Sequence, residues 1–285
     1  MTLQTSWSPA SANDTPSIAR LLRDTNFVYR SPGISDTAKL FLESESLLGW
    51  RGPVLQSALV AGGEDWPVAD LQLSAAADSA ALVELAHQAL PRLEARVLAR
   101  DGRWLRILNG PAWLVRQLIP RYKQVDVVVF YQTNCSSTIY LPELNNGFRA
   151  QCASDTDLFD IKQVDEGSFI PFWQASAFTL GRWLQNAKYA LALSTGKQIV
   201  AFILARLQGD TGNVYRLAVL PEWQGRGLGR WLMTRIITDM QAHGAATITL
   251  NTQACNQRAR SLYERMGFTL TGHEVSAWAR DLTLR

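Results

Sequence analysis

The residues from Gln224 to Arg230 read Gln-Gly-Arg-Gly-Leu-Gly-Arg, between a strand-forming stretch that stops at Pro221 and a segment of helical periodicity. Glycines at alternate positions, feeding a helix start, make a cradle for phosphate. The first-turn N–H groups of a helix have no internal partner, and the helix dipole favours an anion beside them. Glycine lets the main chain approach a ligand without an intervening Cβ, and Arg226 and Arg230 can pair with phosphate oxygens. The spacing G-x-G-x-G departs from the G-x-G-x-x-G dinucleotide fingerprint. No Gly-Lys-Ser/Thr follows, so a P-loop is excluded. A glycine-rich turn that merely starts a helix is the plainer alternative.

The flanking elements must place this turn. Asn213 to Val219 is rich in strand formers. Leu228, Trp231, Leu232, Ile236 and Met240 recur at helical spacing, and Gly244 can end that helix. Thr247–Leu250 reads as a half-buried strand, and Asn256 as the N-cap of a helix closed by Gly267. Asn256, Ala259 and Tyr263 lie at i, i+3 and i+7 and share a face. Ala259 is small enough for a slender ligand to lie against it. Asn256 can either cap its own helix or hydrogen-bond a ligand, and Tyr263 can be an ordinary core aromatic.

Gln-x-x-Gly-x-Gly at 224–229 and Asn256-x-x-Ala259-x-x-Leu262-Tyr263-x-x-x-Gly267-Phe268 together resemble the two signatures of the GNAT family, the Gcn5-related N-acetyltransferases. The resemblance covers about residues 147–285. It implies acetyl-CoA as cosubstrate, with Gln224, Gly225, Arg226, Gly227, Leu228, Gly229 and Arg230 around the pyrophosphate and Asn256 at the pantetheine arm. It also implies a bulged strand before the turn, where the N–H of Leu217 meets the thioester carbonyl and Val219 pairs with the pantetheine amides. A donor placed where oxyanion charge develops stabilises a tetrahedral intermediate. By the same resemblance Tyr263 protonates the departing thiolate, a role a phenol of pKa ~10 can fill.

The general base departs from the family pattern. No carboxylate stands between Asp210 and Glu222, where many GNAT enzymes carry a glutamate. Enzymes that acetylate ribosomal protein N-termini have a glutamate twelve residues before the tyrosine; here that position is Asn251, and the basic residue expected two further on is Gln253. Glu274, His273 and Glu166 remain candidates, beside deprotonation through water or in solution.

The 285 residues allow two domains. The first half reads helix 11–25, strands Val54–Val60 and Trp66–Leu73 around a turn at Ala61–Asp65, helix 78–95, a short strand Arg96–Ala99, helix Trp113–Tyr122 and strand Val125–Phe130. This parallels the second half. The expectation is an α/β (α+β) chain of two tandem GNAT-like domains, 1–140 and 147–285, each a mixed twisted sheet flanked by helices, with a linker near 132–147. The first lacks the glycine turn. Asp78 would cap its helix and repel phosphate, so this domain is expected to bind CoA poorly and to shape the acceptor cleft.

The second half holds the basic excess, 15 Lys/Arg against 11 Asp/Glu, which suits an anionic cosubstrate, although a mixed solvated surface accounts for most of these charges. No basic run points to nucleic acid, no apolar run to a membrane span, and no leader to export, so a cytoplasmic location is the default. Cys135, Cys152 and Cys255 are too few and scattered for a disulfide framework or a metal site, and Cys255 reads as structural. Phe169, Phe172, Trp173, Phe178 and Trp183 form an aromatic stretch that suits core packing, an apolar acceptor wall or a homodimer interface. The leading function is transfer of an acetyl group to a small-molecule or peptide amine by direct attack in a ternary complex. A non-catalytic CoA-binding module and a scaffold are the alternatives.

Overall fold

A computed structural model describes residues 4–31, 40–41, 44–62, 67–118, 120–135, 141–144 and 147–284. Contacts divide the chain into two compact units, Met1–Asp126 with Val275–Arg285, and Val127–Glu274. The division differs from a cut between sequential halves, because the last residues pair within the first unit. The expected turn residues 63–65 and linker residues 136–140 and 145–146 lie outside the described residues.

In the first unit, β1 (Ser6–Ser8), β3 (Glu45–Arg51), β4 (Val54–Gly62), β5 (Val68–Ala76), β6 (Trp104–Leu108) and the end of β13 (Thr269–Asp281) lie in that order. Neighbours β1–β3, β3–β4, β4–β5 and β6–β13 pair antiparallel, and β5 and β6 run parallel from Val68 opposite Trp104. The strand β2 (Phe27–Arg30) also pairs with β5. Successive strand residues point to opposite faces, and both faces are covered. Leu47, Leu59 and Leu71 meet Leu82, Leu85, Leu90, Leu93 and Val97 of the helical run α2 (Ser79–Glu84), a π turn (Leu85–Ala89) and α3 (Leu90–Leu98). Leu48, Val60 and Leu73 meet Ile18 and Leu21 of α1 (Thr15–Asp24). The π turn stands just before Pro91, whose missing N–H would break an α-helical ladder. Arg96–Ala99, expected as a strand, is instead the end of α3: Val97 is held against the sheet, and tertiary burial overrides its β-branched preference. α4 (Ala112–Leu118) completes the unit.

The second unit holds β7 (Lys123–Asn134) from Val127 onward, β8 (Arg149–Cys152), α5 (Leu158–Ser168), α6 (Ala177–Asn186), β9 (Tyr189–Thr195), β10 (Gln198–Gln208), β11 (Thr211–Val219), α7 (Leu228–Ala242), β12 (Thr247–Gln253) and α8 (Gln257–Arg265). The strand order is β7-β12-β11-β10-β9-β8, with β11 and β12 the parallel pair. Leu193, Ala201 and Ile203 pack on Leu232, Ile236 and Met240 of α7. Ala192, Phe202 and Leu204 pack on α5 and α6 through Ile161, Val164, Leu180 and Leu184. Each fully buried side chain of this size contributes roughly 1.5–3 kcal/mol. The fold is thus mixed α/β, as expected, with strand, turn, helix and parallel strand occurring in both units; in the first unit the parallel strand is Trp104–Leu108, not the expected Arg96–Ala99.

Candidate active site

The path from β11 to α7 turns on two glycines. Gly225 has φ +80° and Gly227 φ +82°, values that favour glycine, although a Cβ at either would meet no atom within 4 Å. The demand there is on the backbone, not on space. Gly227 stands at the N-cap of α7 with no side-chain cap, and the N–H of Trp231 makes the first helical bond, 2.9 Å to the Gly227 carbonyl. The N–H groups of Leu228, Gly229 and Arg230 therefore face outward without an intrahelical acceptor. Gly229 has a different constraint. A Cβ there would stand 3.4 Å from Leu262 Cδ2 and 3.9 Å from Leu217 Cδ2, narrowing the gap between α7 and α8.

Beside the turn the sheet splays. β11 pairs with β10 along its length, but with β12 only at Thr211–Val214. A bulge places Tyr215 between residues opposite Leu204 and Ala205, since Leu204 faces Arg216 and Ala205 faces Val214. Beyond it, the N–H of Leu220 donates to the carbonyl of Val200 on the β10 side. By strand alternation Arg216 and Ala218 share that side, and the amides of Leu217 and Val219 point into the splay. Gln224 Nε2 confirms this orientation by donating to the Val219 carbonyl at 2.8 Å.

The splay opens as a cleft of about 680 Å³. It brings together Tyr263 and every residue read from the sequence as cofactor-binding except one: Leu217, Val219, Gln224, Gly225, Gly227, Leu228, Gly229, Arg230 and Asn256. The exception is Arg226, whose guanidinium lies 4.6 Å from the Trp223 ring centroid and outside the lining. Sequence reasoning missed Arg258 and Arg265. They could have been found from the periodicity of α8, because 258, 262 and 265 share a face that adjoins Ala259. It also missed Ser168, at the end of α5, which no local spacing ties to the turn.

The cleft is positively charged. Arg230, Arg258 and Arg265 line it, and among the described residues none has a carboxylate partner; Arg258 donates to the neutral Oε1 of Gln224. Among the described residues no Asp, Glu or His lines the cleft. Such a site suits a ligand with several negative charges.

Asn256 caps α8, its Oδ1 accepting from the N–H of Ala259 at 3.1 Å while the residue lines the cleft. Tyr263 is 6% exposed. Burial, and secondarily the Tyr131 phenol, push its pKa up to about 12, so it remains a proton donor at neutral pH. Its ring is 5.9 Å from that of Tyr131, whose hydroxyl donates to Glu264 Oε1 at 2.9 Å and accepts from Arg260 Nε at 3.1 Å.

The base candidates are elsewhere. Glu166 accepts from Lys162 at 2.6 Å, the His273 ring lies tilted against Phe130 with centroids 4.7 Å apart, and Glu274 is exposed. None of them lines the cleft. Of the aromatic stretch, Phe169 lines the cleft, Phe172 is buried and Phe178 is exposed. Cys255 is exposed. Among the described residues no group of three or more His, Cys, Asp and Glu could hold a metal ion.

Comparison with known proteins accords with this geometry. The profile of the Acetyltransferase (GNAT) family matches residues 158–268. The chain is 32% identical over 116 residues to the [ribosomal protein bS18]-alanine N-acetyltransferase of Salmonella typhimurium, covering 40% of this chain and 76% of that one. It is 28% identical over 148 residues to the mycothiol acetyltransferase of Propionibacterium freudenreichii, covering 48% and 46%. Its fold matches a tandem GNAT protein from the clavulanic acid biosynthesis pathway with a TM-score of 0.58 at 10% identity, covering 98% of this chain and 99% of that one. A glycine cradle at a helix start, a bulged and splayed strand, a buried tyrosine and relatives of this kind lead to one statement: the chain belongs to the GNAT family of acetyltransferases and has a tandem GNAT fold.

Proposed function

We propose that this enzyme transfers the acetyl group of acetyl-CoA to a primary amine by direct attack in a ternary complex. The observation that carries the reading is one cleft that joins three helix N–H groups without an intrahelical acceptor, two strand amides and three arginines that have no carboxylate partner among the described residues. In this reading the diphosphate lies on the N–H groups of Leu228–Arg230, and pantetheine takes the edge of β11 that β12 leaves at Val214. The amine nitrogen bonds to the thioester carbon, the N–H of Leu217 holds the developing oxyanion, the C–S bond breaks, and Tyr263 gives its proton to the sulfur. With no carboxylate or imidazole among the described residues of the lining, the amine loses its proton to water or arrives neutral.

The acceptor class is an amine on a peptide N-terminus or on a small molecule; the relatives' names carry a ribosomal-protein alanine and mycothiol. A cytoplasmic site of action, where acetyl-CoA is available, belongs to the same proposal; no helix among the described residues is long and apolar enough to cross a membrane. The absence of a base from the lining favours one second reading, a CoA-binding module without turnover. Thiol release from acetyl-CoA, followed with a panel of small amines and a peptide beginning with alanine, decides between them. Release that depends on an amine supports the transferase. A melting point raised by acetyl-CoA with no release by any amine supports the module.

A further inference from the structure

A buried ion pair adjoins the cleft and takes no part in the chemistry described above. Asp165 of α5 is 0% exposed. Arg216 of β11 grips it with a fork, Nε to Oδ1 at 2.6 Å and Nη2 to Oδ2 at 2.9 Å. Oδ2 also accepts from the N–H of Ala175 at 2.9 Å, and Nη2 also donates to the Trp173 carbonyl at 2.8 Å. The Phe169 ring centroid is 3.6 Å from the guanidinium carbon. One side chain therefore fastens the end of α5, the Phe169 turn and the segment before α6 to one point on β11.

That point lies between Tyr215, the bulge residue, and Leu217, whose amide faces the cleft. The fastened segment includes Ser168 and Phe169, which line the same cleft. A buried ion pair is weak evidence for stability, since its desolvation cost often matches its attraction, and apolar side chains of similar size serve as well. A planar fork with fixed directions is well suited to setting geometry.

The geometry points to Arg216 as a positioning residue for acetyl transfer. Through Asp165 and Trp173 it holds the Leu217 amide and the Ser168–Phe169 wall in one register, so that a carbonyl held by the first faces an amine admitted along the second. This rests on the acetyl-transfer reading, with the wall serving the acceptor.

Two variants test it. Arg216→Lys keeps the charge and loses the fork. Arg216→Met with Asp165→Asn removes both buried charges and keeps an acceptor for the Ala175 N–H, so it is expected to fold. In each, acetyl-CoA dissociation constants by calorimetry should stay within about threefold of wild type. With the amine of the panel that releases thiol fastest, kcat should fall roughly 10- to 100-fold and the amine KM should rise, because displacement of about 1 Å at a reacting centre can cost on the order of 10²-fold. A folded double variant with kcat within about twofold of wild type overturns the assignment. So does a loss of acetyl-CoA affinity as large as the loss of turnover, and so does a lowered melting point with unchanged kcat well below it. A wild-type protein that releases thiol with no amine overturns the transfer reading and this inference together.

Discussion

Asp78 and Gly227 stand at matching points of two similar paths. Each follows a bulged strand, with Gln72 the extra residue in β5 and Tyr215 in β11, and each begins a helix that leads to a parallel neighbour. From there the two units diverge. Asp78 Oδ1 accepts from the N–H of Ala81 at 2.8 Å, so the first unit satisfies its helix start with its own carboxylate. Gly227 offers no cap. In the first unit β6 pairs with β5 at Val68–Asp70, and then β2 takes Leu73–Ala76, with Phe27 opposite Ala76. In the second unit β12 stops pairing at Val214, and among the described residues no strand replaces it along 215–219. Backbone donors and acceptors must find partners. The first unit finds them within the chain, where four residues of β2 occupy the edge that the second unit leaves to a ligand. One topology therefore gives a groove or a filled sheet according to who makes those hydrogen bonds.

The strongest way to break this contrast is to make the second turn resemble the first. Gly227→Asp puts a carboxylate at the N-cap of α7, where the diphosphate is proposed to lie, and Gly227→Asn, which bears the same backbone strain at φ +82° without the charge, is its control. Like-charge contact across an interface costs several kcal/mol, so acetyl-CoA affinity should fall by about 100-fold or more, with the far-UV circular dichroism spectrum retained. Binding by calorimetry within about fivefold of wild type would move the anion site away from this helix.

Tyr263→Phe addresses the chemistry of the open groove. Loss of a general acid costs roughly 10²-fold or more, so kcat should drop by about that factor while acetyl-CoA affinity changes less than about twofold. Unchanged turnover removes Tyr263 from the mechanism. The same variant has a pH signature. The phenol ionises near ~10 in the unfolded chain and near about 12 in the fold. The folded protein holds this proton more tightly, so the associated stability is complete below pH ~10 and is lost as pH rises from there to about 12, by about 2–3 kcal/mol in all. Urea unfolding at pH 9 and pH 11.5 should show wild type losing more stability than Tyr263→Phe over that interval.

The groove was legible in the sequence because its parts are local. Three glycines fix a turn, Asn256 marks a helix start, and helical spacing puts Ala259 and Tyr263 on one face. Asp78 was legible for the same reason, as a cap three residues before Ala81. The features that decide occupancy are not local. Phe27–Arg30 has no pattern that says which strand it joins, and only the register with β5 shows that it fills an edge. The bulge at Tyr215 is a mismatch between two strands and is invisible in either alone. Arg216 and Asp165 meet across 51 positions. β10 is an apolar run buried on both faces, without the alternation that marks a half-exposed strand, so it too has no clear local signal. Arg258 and Arg265 share the Leu262 face of α8, and only the tertiary placement of that helix brings the face to the cleft.

The first unit has its own buried charge, and it sharpens the contrast by serving the fold. Glu94 is 6% exposed and accepts from Arg121, from the Tyr122 hydroxyl at 2.9 Å and from Arg280 Nη1 at 2.8 Å. Burial and this carboxylate raise the Tyr122 pKa well above the ordinary value. Arg280 belongs to the end of β13, so Glu94 holds the returning C-terminal residues. Glu94→Gln leaves two partly buried guanidinium groups without a countercharge, at a cost of about 2–3 kcal/mol once their partial exposure is allowed for. Urea unfolding should show that loss, with acetyl-CoA affinity and kcat within about twofold of wild type. A matching loss of affinity would make the first unit part of the binding site.

Asp78→Gly carries the smallest expected effect and separates the two causes of a filled groove. Replacing an N-cap aspartate by glycine costs only a few tenths of a kcal/mol, so the melting point should barely move. The variant removes the carboxylate that would repel phosphate, yet β2 still takes the edge of β5 from Leu73 to Ala76. Titration of the full chain should therefore give one acetyl-CoA per chain in wild type and in Asp78→Gly alike. Two in wild type would end the contrast between the units. Two only in the variant would assign the block to a single negative charge and make β2 a strand that a ligand can displace.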